Sequence, residues 1–160
     1  MSAEGTRQQI VTFRVGKEYF AADIFAVERV LRYQPPTVVP HLPDWVEGVI
    51  EYEERVVPVI DLRRRLGIEP VPPRPETRII VFTVDDEWTA VVVDAVLEVM
   101  APAPEQLSAP PALFRGLSAE YLRALVRQEN RLVLLIEMSR LLTATERITL
   151  QQMSTAAAHE

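Results

Sequence analysis

The chain has 160 residues, enough for one compact domain or for two very small subdomains sharing a core. Its 48% hydrophobic and 25% charged composition is that of an ordinary globular protein, and a net charge of -6 supplies no basic field to hold nucleic acid or an anionic membrane. The absence of cysteine excludes disulfides and thiolate metal sites, the opening MSAEGTRQQ has no secretory pattern, and no apolar run is long enough to span a bilayer, so the expected location is the cytoplasm.

In chain order, Val11, Phe13 and Val15 alternate with Thr12 and Arg14, the period of a half-buried strand, and Gly16-Lys17 turns it into EYFAADI as a hairpin. AVERVLRY reads as a further strand. QPPTVVPHLP is a connection, because its prolines cannot continue a helix or a central strand. VEGVIEY and RVVPVID flank Glu53-Glu54 as a second hairpin, after which Asp61 caps a short helix, LRRRL, that Gly67 stops. EPVPPRP divides the chain, APAPEQLSAPP is a second proline-rich loop, and TATERITLQQM, with a Thr143-x-x-Glu146 capping box, predicts a peripheral helix in a tail spanning 143–160.

After EPVPPRP the pattern starts again. VTFRVGKEYFAADIFAVERV, from Val11, overlays IVFTVDDEWTAVVVDAVLEV, from Ile80, matching Phe13 with Phe82, Val15 with Val84, Tyr19 with Trp88 and Val27 with Val96. VVPVIDLRRRL (Val56 to Leu66) likewise matches LVLLIEMSRLL (Leu132 to Leu142). A weak internal duplication predicts two similar small β-barrels packed together. The expected subdomains are residues 18–70 and 77–142, with the N-terminal strand shared between them.

Catalytic chemistry finds little support. Histidine occurs only as His41, in a proline-flanked loop, and His159, in the tail, and neither has an orienting partner nearby in sequence. Nucleophile-elbow, zinc-protease and phosphate-loop motifs are absent, and no cofactor or metal is expected. The most enzyme-like pair is Glu51 and Glu53, which in one strand would share a face at roughly 7 Å; a solvated acidic turn or an acidic protein-contact surface explains them better than an acid-base hydrolase does. Arg63, Arg64 and Arg65 point in different directions on one helical turn and read as a solvated face. PVPPRP reads as a stiff spacer between barrels, and Trp45 and Trp88 read as core packing.

Five segments in order, FRVGKEYFAADIFAVERVLRY, VVPHLPDWVEGVI, VVPVIDLRRRLG, VFTVDDEWTAVVVDAV and LSAEYLRALVRQENRLVLLIEMSRLL, carry a resemblance to the CheW family, the adaptor proteins of bacterial chemosensory arrays. The resemblance implies an all-β fold with short helices, made of two Src-homology-3-like five-stranded barrels, and a job without a catalytic centre or cofactor. That job is to couple a CheA-type histidine kinase, through its regulatory domain, to the cytoplasmic tip of a chemoreceptor or to another CheW-like protein.

By the same resemblance, Val27, Glu28, Arg29 and Val30 contact the kinase, and the hairpin Glu51, Tyr52, Glu53, Glu54, Arg55 contacts the receptor or another partner. Where relatives commonly have V-x-E-I, this chain has Val27-Glu28-Arg29-Val30. Where they have N-L-R-G, it has Glu51-Tyr52-Glu53-Glu54, so the receptor-contacting arginine position holds Glu53. A charge reversal at an interface replaces attraction with repulsion, which points to a basic partner surface or to a divergent module serving another signalling enzyme. Loss of the turn glycine at Glu54 predicts a changed hairpin geometry, because glutamate resists positive φ.

Overall fold

The computed structural model describes residues 7–110 and 121–141. The proposed tail helix beyond 143 and part of the LSAEYLRAL segment lie outside these residues. The strands are β1 (Ile10–Val15), β2 (Glu18–Asp23), β3 (Val27–Arg32), β4 (Val46–Tyr52), β5 (Arg55–Asp61), β6 (Arg78–Val84), β7 (Glu87–Val93), β8 (Ala95–Met100), β9 (Leu107–Ser108), β10 (Leu122–Gln128) and β11 (Arg131–Ile136). Helix α1 (Leu62–Arg65) follows β5, and α2 (Met138–Leu141) follows β11. Asp61 caps α1 by accepting a 3.0 Å hydrogen bond from the Arg63 amide, and Gly67 ends it at φ 75°.

The strands form two sheets, one in the order β8-β1-β2-β11-β10-β9 and the other β3-β6-β7-β5-β4. The second sheet is the continuous stretch 27–93; the first combines the N-terminal hairpin with the strands from 95 onward. The duplication is visible strand by strand. β1 and β6 correspond, as do β2 and β7, β11 and β5, and β10 and β4, and a Thr37–Val49 bridge on β4 occupies the place that β9 takes on β10. The third strand of each unit leaves its own hairpin and pairs with the other: Val27 lies opposite Phe82 and Val96 opposite Phe13. In each sheet a parallel pairing joins hairpin to hairpin, Val59 with Ala90 and Leu135 with Ala21.

This exchange explains why β1 and β6 are largely buried on both faces. Phe13, Val15 and Phe20 meet Leu62, Phe82, Val91, Ile136 and Leu141 in a core between the sheets. The alternate residues serve separate barrel interiors, Ile10 with Val126 and Val133 in one, Ile79 and Val81 with Ile50 and Val59 in the other. Thr12, buried within β1, sits at a register shift against β8, and its hydroxyl both donates to the Glu98 carbonyl and accepts from the Glu98 amide, each at 3.1 Å, satisfying backbone groups that the bulge leaves unpaired.

The chain crosses between sheets at two points, and an aspartate holds each. At the first, Asp23 accepts from the Phe25 amide and from Gln8 Nε2, both at 2.9 Å. At the second, Asp94 accepts from Arg63 Nε (3.1 Å), Arg63 Nη2 (2.6 Å) and the Gly16 amide, so it joins the β1–β2 turn to α1. Residues 70–75, expected to space two barrels apart, instead lie in the connection from β5 and α1 to β6, elements of one barrel.

Candidate functional site

Strand β3 lies at one end of its sheet, hydrogen-bonded to β6 alone. Val27 is half-buried against the central core, whereas Glu28, Arg29 and Val30 are exposed, Val30 at 40%. Val30 is therefore a surface side chain and no part of the core. The hairpin Glu51–Arg55 lies at the far end of the same sheet order, with Tyr52 opposite Arg55 and Glu51 opposite Val56.

Its turn differs from expectation. Glu53 and Glu54 take φ values of 49° and 62°, so the hairpin keeps a tight two-residue turn with both central residues left-handed, as Asp85 and Asp86 do (50° and 66°). Pairing on both sides fixes the register, so local strain of about 1 kcal/mol or more per residue is tolerated and the geometry is not rearranged. The expectation that Glu51 and Glu53 share a strand face also fails, because the strand ends at Tyr52 and Glu53 lies in the turn. Glu51 borders a groove whose walls do not include Glu53, so the carboxylates do not flank a common pocket.

Barrel closure brings the two ends of the sheet together. The Tyr52 hydroxyl donates to Glu28 Oε2 at 3.1 Å, and the Arg29 guanidinium lies 5.8 Å from the Tyr52 ring centre. Tyr52 also meets Trp88 edge-on at 4.9 Å, and Arg55 stacks over Trp88 at 4.3 Å. Burial first, and then the hydrogen bond to Glu28, raise the Tyr52 phenol above its ordinary range, which keeps it a donor near neutrality. Glu28 and Arg29 of β3 are therefore in direct contact with Tyr52 at the end of β4.

The linking roles of Tyr52 and Trp88 were missed in the sequence, where Trp88 read only as core. The inward alternation of Ile50 and Tyr52 on one strand was the available signal. The other barrel closes in the same manner, Gln128 Nε2 donating to Glu98 Oε1 and Arg131 stacking on Tyr19 at 4.4 Å.

Beside the hairpin lies a groove of about 320 Å³, walled by Val38, Val39, Pro40, Val49, Glu51 and Val56 among others. The Thr37–Val49 bridge forms its floor, with Thr37 N–H donating to the Val49 carbonyl at 2.8 Å and Val49 N–H to that of Thr37 at 2.9 Å. Gly48 permits this approach, since a Cβ there would lie 2.1 Å from the Thr37 carbonyl oxygen.

Within the arginine run only Arg64 is exposed, and Arg63 and Arg65 are partly buried. Arg63 holds Asp94, Arg64 donates to the Asp44 carbonyl at 3.1 Å, and Arg65 donates to the Leu141 carbonyl at 2.8 Å while lying 5.9 Å from the Trp45 ring centre. Their divergence on one turn, read correctly from the sequence, lets α1 tie three segments together. His41 is exposed in its loop, and Trp45 and Trp88 are partly buried against apolar clusters.

Comparison with known proteins agrees with this fold. A family model described as the CheW-like domain matches residues 9–146. A probable chemotaxis protein CheW of Rhizobium etli is 31% identical over 87% of this chain and 90% of its own length. A chemotaxis protein CheW of Treponema pallidum is 25% identical over 91% and 88%. The crystal structure of the scaffolding protein TtCheW from Thermoanaerobacter tengcongensis superposes with a TM-score of 0.77 at 27% identity, covering 84% of this chain and 92% of that one.

Proposed function

The chain belongs to the CheW-like domain family, and on that premise we propose that it is a non-catalytic adaptor that couples a CheA-type histidine kinase to chemoreceptors or other components of a sensory array. The observation that supports this reading is that exposed Glu28 and Arg29 of β3 contact Tyr52 of the Glu51–Arg55 hairpin, which sets the two segments beside each other. Two partners can bind side by side there without occupying a cleft. The kinase regulatory domain is assigned to Val27–Val30 and the second partner to the hairpin. No helix among the described residues is long and apolar enough to cross a membrane.

The second partner carries positive charge where it meets Glu51, Glu53 and Glu54, since like charges brought together at an interface cost several kcal/mol. Calorimetric titration with the kinase regulatory domain and with receptor cytoplasmic fragments tests the assignment. Val30→Asp is expected to weaken kinase binding at least about tenfold, and Glu53→Arg to gain affinity for a receptor tip that carries acidic residues. Kinase binding that survives Val30→Asp unchanged would remove β3 from the interface. Kinase binding with no receptor binding by either form would favour a module serving another signalling enzyme.

A further inference from the structure

The duplication sets the two crossings between sheets side by side for comparison. At the crossing held by Asp94, Arg63 of α1 reaches between that residue and the β1–β2 turn, donating to Asp94 Oδ2 at 2.6 Å. The chain that follows α1 then folds back over it. The Ile68 amide donates to the Arg63 carbonyl at 2.6 Å, Arg63 Nη1 donates to the Glu69 carbonyl at 2.6 Å, and a Cβ on Gly16 would lie 3.5 Å from the Ile68 side chain. Beside Arg14, Arg63 and Asp94 only about 40 Å³ of cavity remains.

At the other crossing the repeat puts Ser139 in place of Arg63, Phe25 in place of Asp94, Asp85 in place of Gly16 and Thr83 in place of Arg14. These four residues line a cavity of about 300 Å³ whose wall carries the carboxylates of Asp23, Asp85 and Glu137 against one cation, Arg123. Phe25 stands at its rim, 91% exposed. The half that brings its own arginine is nearly filled, and the half that has serine there is open and acidic.

We propose that the C-terminal segment 142–160 docks in this cavity, Arg147 taking among the carboxylates the place that Arg63 holds in the other half. In the repeat, the counterpart of the stretch that folds back over Arg63 is the chain leaving α2, and Ser139 of α2 is itself part of the cavity wall. Arg147 is the one arginine or lysine of the segment, and the six residues from Leu141 to it span up to about 20 Å. Thr143 replaces Gly67, whose φ is 75°, and a β-branched residue resists that turn, so the return is longer than in the first half and the cation comes later in the chain. This inference rests on the repeat and is independent of the adaptor reading.

The chain has no cysteine, so an engineered pair reports the contact directly. Thr83→Cys with Ile148→Cys is expected to close an intramolecular disulfide at least about tenfold faster than Val38→Cys with Ile148→Cys, which pairs the segment with the groove beside β4. Adding Arg147→Glu is expected to slow the first closure about fivefold or more, and Arg147→Lys to slow it less. Placing an arginine in the cavity by Ser139→Arg is expected to displace the segment and slow closure as well. Amide hydrogen exchange of the chain without cysteines gives a second reading: protection near Arg147 that Arg147→Glu removes. Equal closure rates for the two pairs, closure that Arg147→Glu leaves unchanged, or unprotected amides near Arg147 overturn the docking. A disulfide that joins two chains at a rate rising with concentration overturns it too, by giving the cavity to a second copy's segment.

Discussion

At the scale of single residues, the two crossings between sheets depend on carboxylates, and Asp94 carries the larger network. Burial works to raise its pKa, but the hydrogen bonds from Arg63 and from the Gly16 amide, with the charges of Arg63 and Arg14, outweigh it and hold the carboxyl below its ordinary value. A carboxyl with a depressed folded-state pKa contributes stability that is present above its unfolded-state value, near 3.9, and is lost as pH falls through the folded one. Asp94→Asn is therefore expected to lower stability by about 1.5–3 kcal/mol at neutral pH and to flatten the acid limb of a stability-versus-pH curve. An acid limb as steep as that of the parent chain would show that the proton is taken up elsewhere. Tyr52→Phe isolates a smaller link: it keeps the contacts with Trp88 and Arg29 but removes the bond to Glu28, for an expected loss of about 1 kcal/mol in chemical denaturation.

At the scale of elements, the strands were legible because their side chains alternate and their turns are short. VEGVIEY and RVVPVID were read with the bounds that β4 and β5 have. The turn between them was legible in place but not in conformation. Propensity resists left-handed glutamates, yet β4 and β5 pair up to Tyr52 and Arg55, leaving only two residues to reverse the chain. Replacing Glu53-Glu54 by Asn-Gly is thus expected to raise stability by about 1 kcal/mol or more in thermal melts, because the register already demands that turn. Gly48 is the opposite case. Any side chain there meets the Thr37 carbonyl, so Gly48→Ala is expected to break the Thr37–Val49 bridge, loosen the groove wall, and expose the amides of Thr37 and Val49 to rapid hydrogen exchange. Protection of those amides equal to the parent's would show that the bridge bends without breaking.

At the scale of the whole molecule, the duplication was legible but the exchange of third strands was not. Pattern matching sees that Val27 corresponds to Val96; it does not see that each leaves its own hairpin, because either sheet buries the same apolar face. The candidate surface was hidden for a related reason. Val27–Val30 and Glu51–Arg55 stand at opposite ends of a sheet order, and only barrel closure places Glu28 against Tyr52. The exchange has an energetic consequence. Phe13 from the six-stranded sheet and Phe82 from the five-stranded one lie, fully buried, in the same central core, and β8 and β3 each complete a sheet begun by the other unit. Neither barrel is then a separate cooperative unit.

Phe13→Ala leaves a void in that shared core and is expected to cost about 3–5 kcal/mol. Trp45 and Trp88 both belong to the stretch that holds the five-stranded sheet, on the far side of the core from Phe13's own strand, so tryptophan fluorescence reports one sheet while far-ultraviolet circular dichroism reports both. The expected outcome is that both signals of the Phe13→Ala variant move to lower denaturant together and remain coincident. A fluorescence transition left near its original midpoint while the dichroism signal splits would mean that the five-stranded barrel stands alone, and that the exchanged strands tie two domains together without making them one.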